Sequence, residues 1–299
     1  MVLLQNNRLS LRMFPYGARI ASLRLSDGTE TVLGFPQGGG YVGDTQHLGA
    51  VCGRYANRLR PFVVEGKTHK PITNEGENCL HGGPGGFGLR DWEVVHSDET
   101  EAVLRIVSAD GDQGFPGELT TELRVLLNGS ELIFRFEAET TKTTPVNLTL
   151  HPYFRLSGDT IRDHELVCST GGVLATDAAQ IPTGDVVAPT GDALDLNTGG
   201  LLSTRIAARP SGLDHCYVTP GGCDVKLAHA ASGRQLRVTS DAPMVQVYTG
   251  SALAAPHGPF AGVAIEPQSA PDGPNRPEFG NVMLRPDERY RREIRYILG

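Results

Sequence analysis

The 299-residue sequence contains no apolar run of 18 residues, so no segment has the composition of a membrane-spanning helix. It also lacks a basic surplus, because 27 Lys and Arg residues against 34 Asp and Glu residues give a formal net charge of −7. Nucleic-acid phosphates require a basic surface, and the charge therefore argues against a nucleic-acid partner. The N-terminal segment has no basic region and only a short apolar run, so we expect no signal peptide.

Cysteine is scarce: five residues are scattered along the chain without a Cys-x-x-Cys motif. A dispersed, odd-numbered set is typical of reduced thiols in the cytoplasm rather than of a disulfide framework. Neither His-x-His nor His-Glu-x-x-His occurs among the nine histidines, so a metal site has no local support. The nucleophile elbow Gly-x-Ser-x-Gly is absent too.

Short alternating segments dominate instead, and no stretch of 12 residues has a convincing helical period. The 37 glycines and 20 prolines divide the chain into segments with the two-residue period of strands. Residues 119–127 and 132–138 predict a long hairpin with Asn128-Gly129 at its turn. Further predictions are a small hairpin at 62–66, a closing strand at 292–297 and a short helix at 201–208. We expect an all-β fold, a large antiparallel β-sandwich with residues 1–299 in a single domain.

Residues 83–88 fit the Gly-x-Gly-x-x-Gly pattern of dinucleotide-binding folds. That fingerprint requires a helix N-terminus directly after the glycines. Residues 89–95 predict a strand at this point, and we therefore interpret the glycines as a turn.

The most informative segment is 145–154, with the sequence PVNLTLHPYF. Its apolar residues alternate with Asn147, Thr149 and His151, which predicts a half-buried strand with a polar face. Pro152 ends regular pairing directly behind His151. An imidazole fixed at a strand end can hold or release a proton near neutral pH. A hydrogen-bonded core histidine is the alternative, and spacing alone does not separate the two.

Glu266 is a second candidate for acid–base chemistry. It follows the apolar run 261–265, and a carboxylate at the end of a buried strand is costly unless it has a function or a partner. A buried ion pair is the alternative.

Three loop positions also carry possible chemistry. Arg58 stands beside Asn57, and its rigid guanidinium suits neighbouring hydroxyls, although a solvated arginine is the more common case. His81 precedes two glycines that allow backbone and ligand to approach closely, but a surface-loop histidine fits equally well. Asp214 alone is compatible with a turn.

Eight motifs follow one another along the chain: GRYANRL at 53–59, LHGG at 80–83, DGDQGFPGEL at 110–119, NLTLHPYFRL at 147–156, IPTGDVV at 181–187, LDH at 213–215, VQVYTG at 245–250 and EPQSAPDGPN at 266–275. In this combination and order the sequence resembles the aldose 1-epimerase (galactose mutarotase) family over nearly its whole length. Arg155 stands where the family often has asparagine, and Tyr55 where a small apolar residue is usual. Neither is a catalytic position, but both are expected to affect sugar specificity.

The resemblance implies a β-sandwich that interconverts the α and β anomers of a free aldose, such as galactose or glucose, by opening and closing the ring. Glu266 matches the family's general base and His151 its general acid. The residues implied to bind the sugar are Asn57, Arg58, His81, Asp214 and Gln246. No redox cofactor and no metal are implied. We expect a monosaccharide as the partner, no nucleic acid or membrane, a cytoplasmic location, and a monomer or homodimer.

Three other functions stay open at this point. A sugar-phosphate 1-epimerase of the same superfamily would use the arginines Arg54, Arg58, Arg60 and Arg90. A non-catalytic sugar-binding protein would keep the cleft without turnover. A glycosidase would use Asp214 and Glu266 as a carboxylate pair within about 5–10 Å of each other.

Overall fold

The structure is a computed structural model that describes residues 1–189 and 191–299. These residues form 25 strands and one α-helix. The strands of the N-terminal half are β1 (Val2–Gln5), β2 (Leu9–Phe14), β3 (Arg19–Leu25), β4 (Ala50–Cys52), β5 (Arg58–Leu59), β6 (Phe62–Val64), β7 (Lys67–His69), β8 (Cys79–Leu80), β9 (Glu93–Ser97), β10 (Glu101–Ser108), β11 (Leu119–Asn128), β12 (Glu131–Thr140) and β13 (Thr144–Pro145).

The C-terminal half begins with the segment that carries His151. Its elements are β14 (Thr149–His151), β15 (Tyr153–Phe154), β16 (Glu165–Cys168), β17 (Gly172–Thr176), β18 (Pro182–Val187), α1 (Leu202–Ala208), β19 (Asp214–Val218), β20 (Cys223–His229), β21 (Arg234–Ser240), β22 (Met244–Tyr248), β23 (Val263–Gln268), β24 (Met283–Leu284) and β25 (Tyr290–Leu298).

Two large antiparallel sheets pack face to face. The larger has the order β16-β20-β21-β25-β12-β11-β10-β9, and the smaller has the order β15-β23-β22-β19-β17-β18. Their inner faces share one hydrophobic core, in which the rings of Phe154 and Tyr296 lie 5.0 Å apart. This arrangement confirms the predicted antiparallel β-sandwich. One sheet of three strands and four pairs complete it: β1-β2-β3, β13-β24, β14-β4, β5-β8 and β6-β7.

Both predicted hairpins are confirmed, with a shift at the longer one. β11 and β12 pair as far as Asn128 and Glu131, so the turn is formed by the two residues between them rather than by Asn128-Gly129. In the small hairpin β6-β7, Glu65 and Gly66 have φ values of +51° and +75°. Positive φ at both central residues is the geometry that a two-residue hairpin turn prefers.

The helix and the closing strand are confirmed as well. α1 has 7 residues, and β25 pairs with both β12 and β21 in the middle of the larger sheet. In the residues that the structure describes, no helix is long and apolar enough to cross a bilayer.

The segment around His151 is more deeply buried than predicted. Asn147 and Thr149 are fully buried, so the strand is not half exposed. Asn147 accepts a hydrogen bond from the Ser269 backbone at 2.9 Å and donates to the Ala56 carbonyl at 3.2 Å. The physical reason is a change of partner at Pro152: β14 pairs with β4, whereas β15 pairs with β23. The segment therefore passes between sheets, and of Asn147, Thr149 and His151 only His151 reaches the cleft described next.

Candidate active site

A cleft of about 680 Å³ lies over the polar face of the six-stranded sheet. It brings together all the site residues singled out in the sequence, which are Asn57, Arg58, His81, His151, Asp214, Gln246 and Glu266. Strands β14, β19, β22 and β23 each contribute one of the last four. Groups held on several strands are positioned more precisely than groups on loops.

The closest approach of an imidazole and a carboxylate in the cleft is between His151 and Glu266. His151 Nε2 and Glu266 Oε1 are 3.3 Å apart, with side-chain exposures of 6% and 2%. Glu266 lies within β23 rather than at its end, because the strand continues to Gln268. Two further atoms of the pair, His151 Nδ1 and Glu266 Oε2, are buried without a hydrogen-bond partner in the described residues. Unsatisfied buried polar atoms are rare, so this pair is suited to a ligand.

Burial sets the proton affinity of both groups. Together with the neighbouring His47, it lowers the pKa of His151 to about 3. Burial also raises the pKa of Glu266 well above its ordinary value; Asp214 adds to this rise and Arg58 opposes it. Because neither group is stable with an isolated charge here, the pair as a whole favours holding one proton.

A second polar pair lies on the neighbouring strands. Gln246 of β22 is directly opposite Glu266 in the antiparallel register. Its Nε2 donates a hydrogen bond to Asp214 Oδ1 over 2.6 Å. That bond leaves the amide oxygen of Gln246 and the second carboxylate oxygen of Asp214 as acceptors for hydroxyl groups.

His81 and Asn57 hold each other in place. The Asn57 backbone N–H donates to His81 Nδ1 at 3.1 Å, and the His81 backbone N–H donates to the Asn57 carbonyl, also at 3.1 Å. Both residues have positive φ, +64° for Asn57 and +52° for His81, which surrounding contacts must enforce. Since Nδ1 accepts a hydrogen bond, neutral His81 carries its proton on Nε2 and is a donor there.

Arg58 is bound to a residue that the sequence analysis missed. Its Nε and Nη2 donate to the two carboxylate oxygens of Glu75, at 2.6 and 2.9 Å. This bidentate bond fixes the guanidinium at the cleft wall and leaves Nη1 for a ligand. No local motif marks Glu75, since it lies 17 residues away in another loop.

Comparison with known proteins identifies the relatives of this chain. The sequence model of the family described as aldose 1-epimerase matches residues 1–297. The chain belongs to the aldose 1-epimerase family. It is 36% identical to the galactose mutarotase of Bos taurus over 310 residues, which is 96% of this chain and 90% of the relative. Identity to the aldose 1-epimerase of Escherichia coli is 33%, covering 96% of this chain and 91% of the relative.

Solved structures of the family have the same fold. An aldose epimerase homologue from C. elegans superposes with a TM-score of 0.94 at 27% identity, covering 100% of this chain and 98% of the other. For a galactose 1-epimerase from Lactobacillus acidophilus the TM-score is 0.87 at 24% identity, over 99% and 93% of the two chains. The sandwich is thus the fold of the family.

In this member of the family, one group of side chains has the composition of a metal site. Cys52, His81 and Glu266 place one potential ligand atom each within 4.8 Å of one another. Burial, however, raises the pKa of the Cys52 thiol well above its ordinary value, whereas a metal binds the thiolate. A metal-bound histidine also donates from its second nitrogen, but His81 Nδ1 accepts from Asn57. These donors are therefore better suited to protons than to a metal.

His47 is another cleft residue that sequence reasoning missed. Its ring centroid lies 4.6 Å from that of His81 and 6.0 Å from that of His151. It occurs in the segment Asp44–Leu48, which has no hydrophobic periodicity. Its isolated position in the sequence gave no signal.

Proposed function

We propose that this protein is an aldose 1-epimerase, a cofactor-independent isomerase that interconverts the α and β anomers of a free aldose. The observation that carries the proposal is the buried His151–Glu266 pair, 3.3 Å apart, at the floor of a polar cleft. Membership of the aldose 1-epimerase family and relatives named galactose mutarotase support it.

The reaction requires a base and an acid at neighbouring oxygens of one sugar. Glu266 takes the proton of the C1 hydroxyl while His151 gives a proton to the ring oxygen. The C1–O5 bond then breaks, its electron pair stays on O5, and the aldehyde forms. After rotation about C1–C2, closure from the opposite face produces the other anomer, with the two residues in exchanged roles.

The proton affinities of the pair suit this exchange. A raised carboxyl pKa makes Glu266 a stronger base than an ordinary glutamate, and a lowered imidazole pKa makes protonated His151 a stronger acid. The single proton that the pair favours moves through the sugar and not to solvent. The number of protons bound by enzyme and sugar together is therefore the same before and after turnover.

The remaining site residues orient the ring. Asp214 and Gln246 accept from sugar hydroxyls on one side of the reacting pair. His81 donates from Nε2, and Arg58 donates from Nη1, to oxygens near the reacting end. Asn57 fixes His81, and its side-chain oxygen accepts a hydrogen bond from the Arg58 backbone N–H at 2.8 Å. Holding the ring in one pose removes the orientational entropy from the barrier.

The contacts of the arginines argue against a sugar-phosphate substrate. The fork of Arg58 is bonded to Glu75, and Arg54 donates to the Gly117 and Pro116 carbonyls at 2.9 and 3.0 Å. Arg90 pairs with Asp112 at 2.6 Å. Arg54 and Arg90 are thus committed to the protein and Arg58 keeps only Nη1 for a ligand, which favours an uncharged sugar.

We further propose that residues 1–299 act as a single domain in the cytoplasm, as a monomer or homodimer. The shared core of the two large sheets supports the single domain. Five free, buried cysteines support a reducing compartment. Light scattering coupled to size-exclusion chromatography would separate monomer from homodimer.

Polarimetry tests the proposed activity. Freshly dissolved α-glucose, α-galactose, xylose and arabinose are followed to equilibrium with and without the protein. We expect faster approach to the same final rotation for at least one of them. Unchanged rates with all four, together with measurable sugar binding, would instead show a sugar-binding protein, and release of sugar from a glycoside would show a glycosidase.

A further inference from the structure

The cleft contains an imidazole close to His151, that of His47, to which neither the acid–base step nor the orientation of the ring has assigned a role. His47 lies at the cleft wall, and its ring forms an edge contact with that of His81 at a centroid distance of 4.6 Å. The rings of His81 and His151 are 5.4 Å apart, so the three imidazoles form one cluster. Because His47 and His81 lie beside the reacting pair, a sugar placed there comes within their reach.

The segment that carries His47 is held rigidly. Asp44 accepts hydrogen bonds from the backbone N–H groups of Gln46 and Leu48, both at 2.9 Å. Buried Arg19 donates to the Asp44 carboxylate at 2.6 Å and to the Leu48 carbonyl at 2.9 Å. His47 itself has a φ of +55°, a conformation that these contacts enforce. The imidazole is therefore presented in a fixed direction.

His47 is uncharged in its folded surroundings. Burial lowers its pKa to about 4, with Asp44 acting in the opposite direction. A neutral imidazole has one N–H donor and one acceptor nitrogen, which matches a hydroxyl group that both donates and accepts.

The sheet order places His47 and Asp214 on opposite sides of the reacting pair. Glu266 lies on β23, with β22 and then β19, which carries Asp214, on one side. On the other side β23 pairs with β15, which continues from β14 and His151. β14 in turn pairs with β4, and His47 comes just before β4 in the chain. An aldose bound at Glu266 thus presents different hydroxyls to His47 and to Asp214.

We propose that His47 is a further substrate-binding residue, which hydrogen-bonds a hydroxyl on the side of the sugar remote from Asp214 and thereby contributes to the choice among aldoses. The inference rests on the proposed function. Two epimeric sugars differ in the direction of the hydroxyl at one carbon. Where that hydroxyl is the one near His47, one epimer forms the better hydrogen bond.

Three variants of His47 test this role. His47→Phe keeps a ring against His81 but removes the hydrogen bond, His47→Asn keeps a donor and an acceptor, and His47→Ala removes both. His96→Ala, which changes an exposed histidine on β9, is the matched control. KM and kcat are measured by polarimetry for glucose and galactose, and melting temperatures are recorded for every variant.

We expect KM for the better substrate to rise about 3–10-fold in His47→Ala and His47→Phe, because one hydrogen bond to the sugar is lost. The kcat of both variants should stay within about twofold of the wild-type value. The ratio of kcat/KM between the two sugars should change in the same variants, and His47→Asn should recover part of it. Unchanged KM and ratio in His47→Phe would overturn the proposal. A large fall in kcat with loss of one limb of the pH profile would also overturn it, because His47 would then be an acid or base.

The proposed activity is tested separately from this role. Wild-type protein that fails to accelerate mutarotation overturns the proposed function, and with it the basis for His47. If the wild type is active and the His47 variants have wild-type KM and sugar preference, only the role of His47 is overturned.

Discussion

The outer face of the eight-stranded sheet and the cleft over the six-stranded sheet both carry titratable residues, but in opposite settings. On the outer face, Arg237 and Asp224 pair at 2.7 Å with side-chain exposures of 57% and 47%. In the cleft, His151 and Glu266 lie 3.3 Å apart with almost no exposure. The difference is the access of water to the charges.

Water and a partner stabilise the charged forms on the outer face. The mutual hydrogen bond raises the pKa of Arg237 and lowers that of Asp224, so both remain ionised near neutral pH. In the cleft, burial acts in the reverse direction on Glu266 and His151 and favours their uncharged forms. Similar contact distances thus give stable ions on one face and exchangeable protons on the other.

The largest expected effect is that of Glu266→Gln. The amide keeps the shape of the side chain but accepts no proton, so mutarotation should slow by about 10²–10⁴. That loss corresponds to about 3–5 kcal/mol of transition-state stabilisation. Sugar binding should largely survive, as measured by calorimetry alongside polarimetry. Near-wild-type rates would show that Glu266 is not the base. The contrast between exchangeable protons in the cleft and stable ions on the outer face would then lose its main support.

The next effect separates the two histidines next to the reacting centre. His151→Ala should depress kcat strongly, because it removes a proton transfer made only in the transition state. His81→Ala should lower kcat less and raise KM more, since His81 Nε2 donates to a bound oxygen. The wild-type pH profile should be bell-shaped because the pair must hold one proton: the acid limb follows the lowered pKa of His151 and the basic limb follows the raised pKa of Glu266. An acid limb that survives in His151→Ala but not in His81→Ala would exchange the two roles.

A smaller effect concerns the basic limb of that profile. The pair loses its one proton as the pH rises through the raised pKa of Glu266, so activity falls there. Asp214→Asn removes a negative charge that raises this pKa, and the limb should move to lower pH.

Arg58→Gln is the matched opposite. Arg58 lowers the pKa of Glu266, so its removal should move the basic limb to higher pH. Both variants should also raise KM. The shift of the limb along the pH axis, in contrast, should have opposite signs in the two variants. Shifts of the same sign, read from kcat/KM against pH, would contradict the electrostatic origin of the raised pKa.

Sequence reasoning predicted the sandwich, the two hairpins and the positions that gather in the cleft, because strand period and motif order are local signals. It did not predict which other residues of the protein contact them. Glu75 reaches Arg58 from another loop, and His47 reaches His81 through a segment without periodicity. The burial of the polar face around Asn147 also depends on which strands pair on each side of Pro152. The sequence of that segment does not encode those partners.

The smallest expected effect is on the outer face, where Arg237→Gln breaks the pair with Asp224. Exposed ion pairs typically contribute about 0–1 kcal/mol, because water solvates both charges and salt screens them. The melting temperature should therefore fall only slightly, less so at high ionic strength, and kcat and KM should stay at wild-type values. Lys226→Gln on the same sheet, which has no ion pair in the described residues, is the control for loss of one positive charge. Loss of mutarotation in Arg237→Gln at unchanged melting temperature would show that the outer face is coupled to the cleft and that the two regions are not independent.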